Sequence, residues 1–194
     1  SFAGLPCHFI RLAGCNLRCR YCDSTHAYGR GRDMAIDDLV GLCAESPASI
    51  VEVTGGEPLL QKNFRRLALA LRDGAGKQVL VETNGSLDIS RVPEGVVTVM
   101  DIKCPGSGEA GSMDGANLGR LRPCDEAKFV LSSRADYEWA RDFVRDHGLD
   151  SRCRCVLFSP VQGVLDPKSM CEWMLCDRLP VRFQVQWHKL IGIR

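Results

Sequence analysis

The chain has 194 residues, 45% hydrophobic and 25% charged, enough for one domain with a full core. Its 25 lysines and arginines balance 24 aspartates and glutamates, so no surplus of positive charge exists to hold a phosphate backbone, and nucleic acid is set aside as a direct substrate. No run approaches the roughly 18 apolar residues that cross a bilayer, and the N-terminal stretch lacks the basic-then-apolar pattern of a secretion signal, so the expectation is a cytoplasmic protein with no membrane partner.

Predicted strands and helices alternate along the chain. HFIRLAG at 8–14 reads as a strand, and Ile36-Asp37-Asp38-Leu39-Val40 opens a helix. SIVEVTGG at 49–56 is the next strand, followed by an amphipathic stretch from Phe64 to Arg72 that stops at Gly74. KQVLVETNG at 77–85 and VVTVMDIK at 96–103 follow, and the Gly- and Ser-rich segment from Pro105 to Arg122 reads as a surface loop. AKFVLS at 127–132 leads into a helix from Ala135 to His147 that ends at Gly148. CRCVLFSP at 153–160 precedes a helix that starts at Asp166-Pro167, where the proline's absent N–H costs nothing, and VRFQVQW at 181–187 closes the series. Apolar runs of this kind fit strands buried on both faces, and their alternation with helices predicts a parallel sheet with right-handed crossovers. Seven strands are too few for a closed eight-unit barrel of about 250 residues. The expectation is an α/β fold, an incomplete TIM-like barrel of mostly parallel strands forming a single domain over residues 1–194, with no internal repeat or linker.

The chain has eleven cysteines, and an odd count with clustered spacing points to metal ligation in a reducing compartment rather than to a disulfide framework. Cys15, Cys19 and Cys22 are spaced C-x3-C-x2-C, whereas most of the other eight read as small buried hydrophobes. Three thiolates fill three iron corners of a [4Fe–4S] cluster and leave the fourth iron open to an exogenous ligand. A structural zinc would want a fourth protein ligand, for which His26 is the only nearby candidate. A second cluster on Cys153, Cys155, Cys171 and Cys176 is the alternative to a core role for those residues, and iron counting separates the two.

The cysteine triplet, with aromatic Tyr21 before its last member, and Thr54-Gly55-Gly56-Glu57-Pro58 behind a predicted strand together resemble the radical SAM (S-adenosylmethionine) superfamily. The glycines would let backbone approach the methionyl amino group where no Cβ intrudes, with Glu57 adding negative charge there. Five segments in order, FIRLAGCNLRCRYCDS at 9–24, EVTGGEPLL at 52–60, VETNG at 81–85, VMDIKCPGSGE at 99–109 and QVQWHKLIGI at 184–193, resemble the blocks of the 7-carboxy-7-deazaguanine synthase family of queuosine-precursor (7-deazapurine) biosynthesis. That resemblance implies a carbon–nitrogen lyase, usually homodimeric, that turns 6-carboxy-5,6,7,8-tetrahydropterin into 7-carboxy-7-deazaguanine with loss of ammonia, through a 5′-deoxyadenosyl radical. The implied cofactors are a [4Fe–4S] cluster, SAM and Mg2+, and the implied electron donor is a flavodoxin or ferredoxin.

Carried over residue by residue, the resemblance gives Arg11, Thr54 and the terminal carboxylate at Arg194 to the substrate, an arginine fork being suited to a carboxylate. It gives Tyr21, Gly55, Gly56, Glu57, Asp101, Ile102, Lys103, Ser159, Pro160, Val161 and Gln162 to SAM, with Lys103 the clean match in its block. Ser24 stands where the family has a hydroxyl that ligates Mg2+, the other role of Asp23-Ser24 being a helix cap. Glu82 and His188 are the candidates for proton handling. The family opens with a strand and an S-x-Q-G-E-type loop that would precede Ser1, so the reading expects further substrate contacts ahead of the given sequence. Two other readings share parts of the pattern: a glycyl-radical-enzyme activase, and a non-enzymatic iron–sulfur scaffold or sensor.

Overall fold

A computed structural model describes residues 2–192, with the side chain of His188 also outside the description. Seven strands, β1 (Cys7–Leu12), β2 (Ile50–Gly55), β3 (Gln78–Thr83), β4 (Val97–Asp101), β5 (Glu126–Leu131), β6 (Cys155–Pro160) and β7 (Arg182–Phe183), form one sheet in chain order. Every neighbouring pair is parallel. The helices are α1 (Ile36–Glu45), α2 (Phe64–Gly74), α3 (Asn117–Arg120), α4 (Arg134–His147), α5 (Leu149–Arg152), α6 (Pro167–Cys176) and α7 (Trp187–Leu190). The sheet runs linearly from β1 to β7 without closing, which is the incomplete α/β barrel that seven runs of this length allow.

Side chains alternate across the sheet and create two unlike faces. On the helix-covered face, Val51, Val53, Val79, Val81, Met100, Phe129 and Phe158 pack with α2 residues Phe64, Leu67, Ala68 and Leu71 and with α4 residues Tyr137, Ala140 and Val144. Phe129, Phe158, Tyr137 and Trp173 meet edge-on or tilted there, and each buried aromatic contributes roughly 2–3 kcal/mol of transfer free energy. On the concave face Ile50, Leu80, Val97 and Val99, with Phe2 and Cys7 against them, make a small apolar floor. Above this floor the concave face turns polar, with Arg11, Glu52, Thr54, Glu82, Asp101 and Lys128 following one another by register.

Helix ends follow their local chemistry. The Ser133 hydroxyl accepts from the Asp136 N–H at the start of α4, and Gly148 ends that helix at φ +57°. Asp166 accepts from the amides of Lys168 and Ser169 ahead of Pro167.

Two expectations need correction. The 181–187 run pairs as a strand only over Arg182–Phe183, and His188 lies in the short helix α7 instead of on a terminal strand. The segment from Pro105 to Arg122 is no plain surface loop. It holds two 3-10 turns and α3, and buries Ser107 and Asn117, whose amide group donates to the carbonyls of Gly85 and Leu87 and accepts from the Ile89 N–H. Asn117 thereby staples this segment to the loop that leaves β3.

Candidate active site

The loop leaving β1 carries Cys15, Cys19 and Cys22, all half-buried free thiols. Cys15 Sγ accepts from the Leu17 N–H at 3.4 Å and from Asn84 Nδ2 at 3.9 Å, and the nearby Cys22 raises the Tyr28 phenol. Among the described residues, no three His, Cys, Asp or Glu side chains converge on a point where a single ion would be held. Three thiols with N–H donors on one sulfur could fill three corners of a four-iron cluster, whereas a structural zinc would want a fourth protein ligand. Cys19 and Lys103 lie near enough for each to act on the other's charge. Burial raises the Cys19 thiol while Lys103 opposes the rise. Burial would lower Lys103, but Asp101 and Cys19 raise it, so it stays cationic.

The glycines of the second motif hold this loop in place. Gly55 has φ +125°, and a Cβ there would sit 2.2 Å from the Leu12 carbonyl oxygen; one on Gly56 would sit 1.9 Å from that of Gly14. The Gly56 N–H donates to Leu12 O at 2.8 Å, and the Glu57 N–H to Gly14 O at 2.7 Å. These glycines must therefore admit the end of β1 and the start of the cluster loop, a second reason for them beside room for a methionyl group.

Glu57 is fully buried, and its carboxylate accepts from Leu59 N–H at 2.9 Å, Thr83 Oγ1 at 2.8 Å and Asn84 N–H at 2.7 Å. Burial raises its pKa against those hydrogen bonds. The expectation that Glu57 turns its charge toward SAM gives way to a bracket that clamps the ends of β2 and β3 and aims Asn84 at Cys15. Tyr21 likewise donates its phenol to the Val130 carbonyl at 2.8 Å and tethers the loop to β5.

The remaining SAM candidates divide by exposure. Ile102 is 1% exposed within the helix-side core, and Ser159, Pro160 and Val161 are buried at the end of β6, whereas Gln162 is exposed. Asp101 binds Lys103 Nζ at 2.7 Å through one oxygen, and its other oxygen is buried without a partner among the described residues, as is the side-chain oxygen of Gln184 beyond β7. An orphaned buried acceptor suits the amino or hydroxyl groups of a ligand. These residues could hold SAM from the open side of the sheet, and the three thiols could hold the cluster.

At the β1 end, Arg11 stands in register with Thr54, and its guanidinium donates to Ser24 Oγ at 2.9 Å. Ser24 also donates to Asp23, which accepts from Gln186 Nε2 at 3.0 Å and pairs with Lys189 at 3.3 Å. Burial would raise Asp23, but Lys189 and these hydrogen bonds lower it. The chain offers Mg2+ one hydroxyl here, already facing a cation, so its other ligands would be substrate oxygens and water. Lys128 Nζ binds Glu82 at 2.6 Å on the same face, and Glu52, which sequence reasoning missed, is the diagonal neighbour of Glu82 on β2 and acts on its charge. The signal was present as a lone acid inside the apolar run SIVEVTGG. The Arg194 carboxylate and the His188 side chain lie outside the described residues. Cys155 faces inward on β6 and Cys171 and Cys176 sit on α6 across the sheet, so the four cysteines of the alternative cluster do not gather among the described residues.

A partial parallel barrel with a three-cysteine loop docked on a Gly-Gly-Glu turn defines the chain as a radical SAM enzyme, and the model of the Radical SAM superfamily matches residues 9–99. Proteins described as 7-carboxy-7-deazaguanine synthase from Koribacter versatilis and Chlorobaculum tepidum are 43% and 47% identical to it, each over 98% of this chain and over 90% and 87% of their own length. The chain belongs to the 7-carboxy-7-deazaguanine synthase family. The crystal structure of QueE from Escherichia coli superposes with a TM-score of 0.75 at 22% identity, covering 95% of this chain and 87% of that one. A Streptococcus suis SuiB structure gives 0.67 at 13% identity over 93% of this chain and 48% of its own, which is a likeness of fold.

Proposed function

We propose that the chain makes 7-carboxy-7-deazaguanine from 6-carboxy-5,6,7,8-tetrahydropterin with loss of ammonia. When bound, the cluster and SAM supply a 5′-deoxyadenosyl radical that can take a hydrogen atom from the substrate. The chain's own part is to bind, orient and handle protons. Arg11 grips the substrate carboxylate, and Thr54 and Glu82 meet the polar edge of the pterin from neighbouring strands. Lys128 keeps Glu82 ionised, so Glu82 is the group able to accept a proton as ammonia leaves. The apolar floor closes the base of the site against water.

The observation that carries this reading is the pairing of Arg11 with Thr54 in one register row of the concave face, with the guanidinium on Ser24, two residues after the last cluster cysteine. We further propose a homodimer that takes its electron from an acidic flavodoxin- or ferredoxin-type protein.

The test is anaerobic reconstitution with iron, sulfide, SAM and dithionite, followed by mass spectrometry of the products formed from the carboxypterin. The expected result is deazaguanine and ammonia with SAM regenerated. Absence of the deazaguanine, with a glycyl radical appearing on an added partner protein, would overturn it.

A further inference from the structure

We infer that Glu52 is a positioning residue for Glu82, holding the Glu82 carboxylate between a shared proton on one side and the Lys128 ammonium on the other. The inference rests on the proposed function only in giving Glu82 the substrate. Its basis is geometric. Glu52 on β2 is in register with Leu80 on β3, so it lies one step deeper along the concave face than Glu82 and is its diagonal neighbour on that face, near enough for the two carboxyl groups to act on each other. Two carboxyl groups can bond to each other only if one carries a proton. Lys128 touches Glu82 at 2.6 Å, so the negative charge belongs on Glu82 and the proton on Glu52.

The electrostatics run the same way. Burial, then the charge of Glu82, raises Glu52 to about 8. Burial would raise Glu82 as well, but Lys128 and the bond from Glu52 bring it down to about 2. The groups facing Glu52 are Cys7 and Arg11 from β1, Glu82 from β3 and Lys128 from β5, with Asp101 on β4 acting on Lys128. Cys7 stays a neutral thiol, because burial pushes it up to about 12. Between about pH 2 and about pH 8 the pair therefore holds one proton. Above that range the hydrogen bond becomes a repulsion between two carboxylates, and Glu82 is no longer held for the substrate.

Glu52→Gln keeps an N–H donor toward Glu82 but cannot ionise. With the carboxypterin as substrate, kcat/KM of the wild type should fall about tenfold for each pH unit above pH 8, while Glu52→Gln stays within about twofold of its own neutral-pH value up to pH 9. A loss of packing alone would lower activity equally at every pH. Independently of turnover, infrared titration of the reconstituted protein labelled with 13C-glutamate should show one protonated glutamate carboxyl lost near pH 8. That band should be absent from Glu52→Gln and should titrate at lower pH in Glu82→Gln. If the wild type yields no deazaguanine, the functional proposal falls and the infrared arm alone judges the pair. If product forms but the two pH profiles superimpose, or no glutamate titrates above pH 6, or the same band persists in Glu52→Gln, the inference is overturned.

Discussion

Gly56 lies against Gly14 so closely that a Cβ on Gly56 would stand 1.9 Å from the Gly14 carbonyl oxygen. That carbonyl also accepts the Glu57 N–H, so the turn after β2 and the loop that carries the cysteines are one unit. Gly56→Ala should push the loop off its seat at a cost on the order of 2 kcal/mol or more and lower the iron and sulfide that the chain retains after reconstitution. Gly29→Ala, where no atom lies within 4 Å of the added carbon, should leave both unchanged. Equal iron content in the two variants would show that the contact does not seat the loop.

Glu57 makes its three hydrogen bonds without any solvent access, so its removal leaves the amides of Leu59 and Asn84 and the hydroxyl of Thr83 unmet. Each unsatisfied buried group costs about 1–3 kcal/mol, and Glu57→Ala should lose about 3 kcal/mol or more in urea unfolding. Glu57→Gln keeps the shape but turns one acceptor into a donor that faces another donor, and should lose less. Because Asn84 Nδ2 also reaches Cys15, both variants should retain less iron after reconstitution than the wild type. A variant with wild-type stability would remove the bracket from the account.

The Glu52–Glu82 pair gives stability a pH dependence with a definite sign. Glu52 is raised from 4.5 to about 8 in the folded chain, so its contribution is complete below about pH 4.5 and is lost as pH climbs through 8. Glu82 is lowered from 4.5 to about 2, so its contribution is present above about pH 4.5 and is lost as pH falls through 2. The difference in unfolding midpoint between wild type and Glu52→Gln should therefore shrink or reverse between pH 5 and pH 8 and be flat above pH 8.5. A difference that grows with pH over that interval would contradict the assignment of the proton to Glu52.

These relationships differ in how far the sequence discloses them. The strands of the barrel are legible because runs such as KQVLVETNG and AKFVLS hold short apolar cores, Val79-Leu80-Val81 and Phe129-Val130-Leu131, bounded by turn signals. The cysteines and the Gly-Gly-Glu turn are legible as a motif, but the physical reason for the glycines is not, since their crowding comes from Leu12 and Gly14, more than forty residues earlier. Glu57 reads as a ligand-facing charge because sequence carries no sign of Thr83 and Asn84 closing over it. Glu52 was passed over because one acid in an apolar strand looks incidental. Only the register that sets it one step below Glu82 on the same face, with Lys128 bound to Glu82, gives it a partner and a role. The end of the chain misleads for the opposite reason: VRFQVQW has strand composition, but only Arg182 and Phe183 pair in register with β6.

Arg11 offers the sharpest division between binding and chemistry. Its guanidinium already spends one N–H on Ser24 at 2.9 Å, and its remaining donors form the planar fork that a carboxylate accepts in two parallel bonds. A lysine retains the charge but loses the fork. Arg11→Lys should therefore raise KM for the carboxypterin about tenfold or more, with kcat changed much less, because the lost contact is made in ground state and transition state alike. Arg11→Ala should raise KM further, and it also frees Ser24 Oγ from its cation, so any change in the Mg2+ dependence of turnover should appear in this variant and not in Arg11→Lys. The measurement is steady-state product formation over a range of pterin and Mg2+ concentrations under saturating SAM. A fall in kcat with KM unchanged would move Arg11 from substrate binding to the reacting centre.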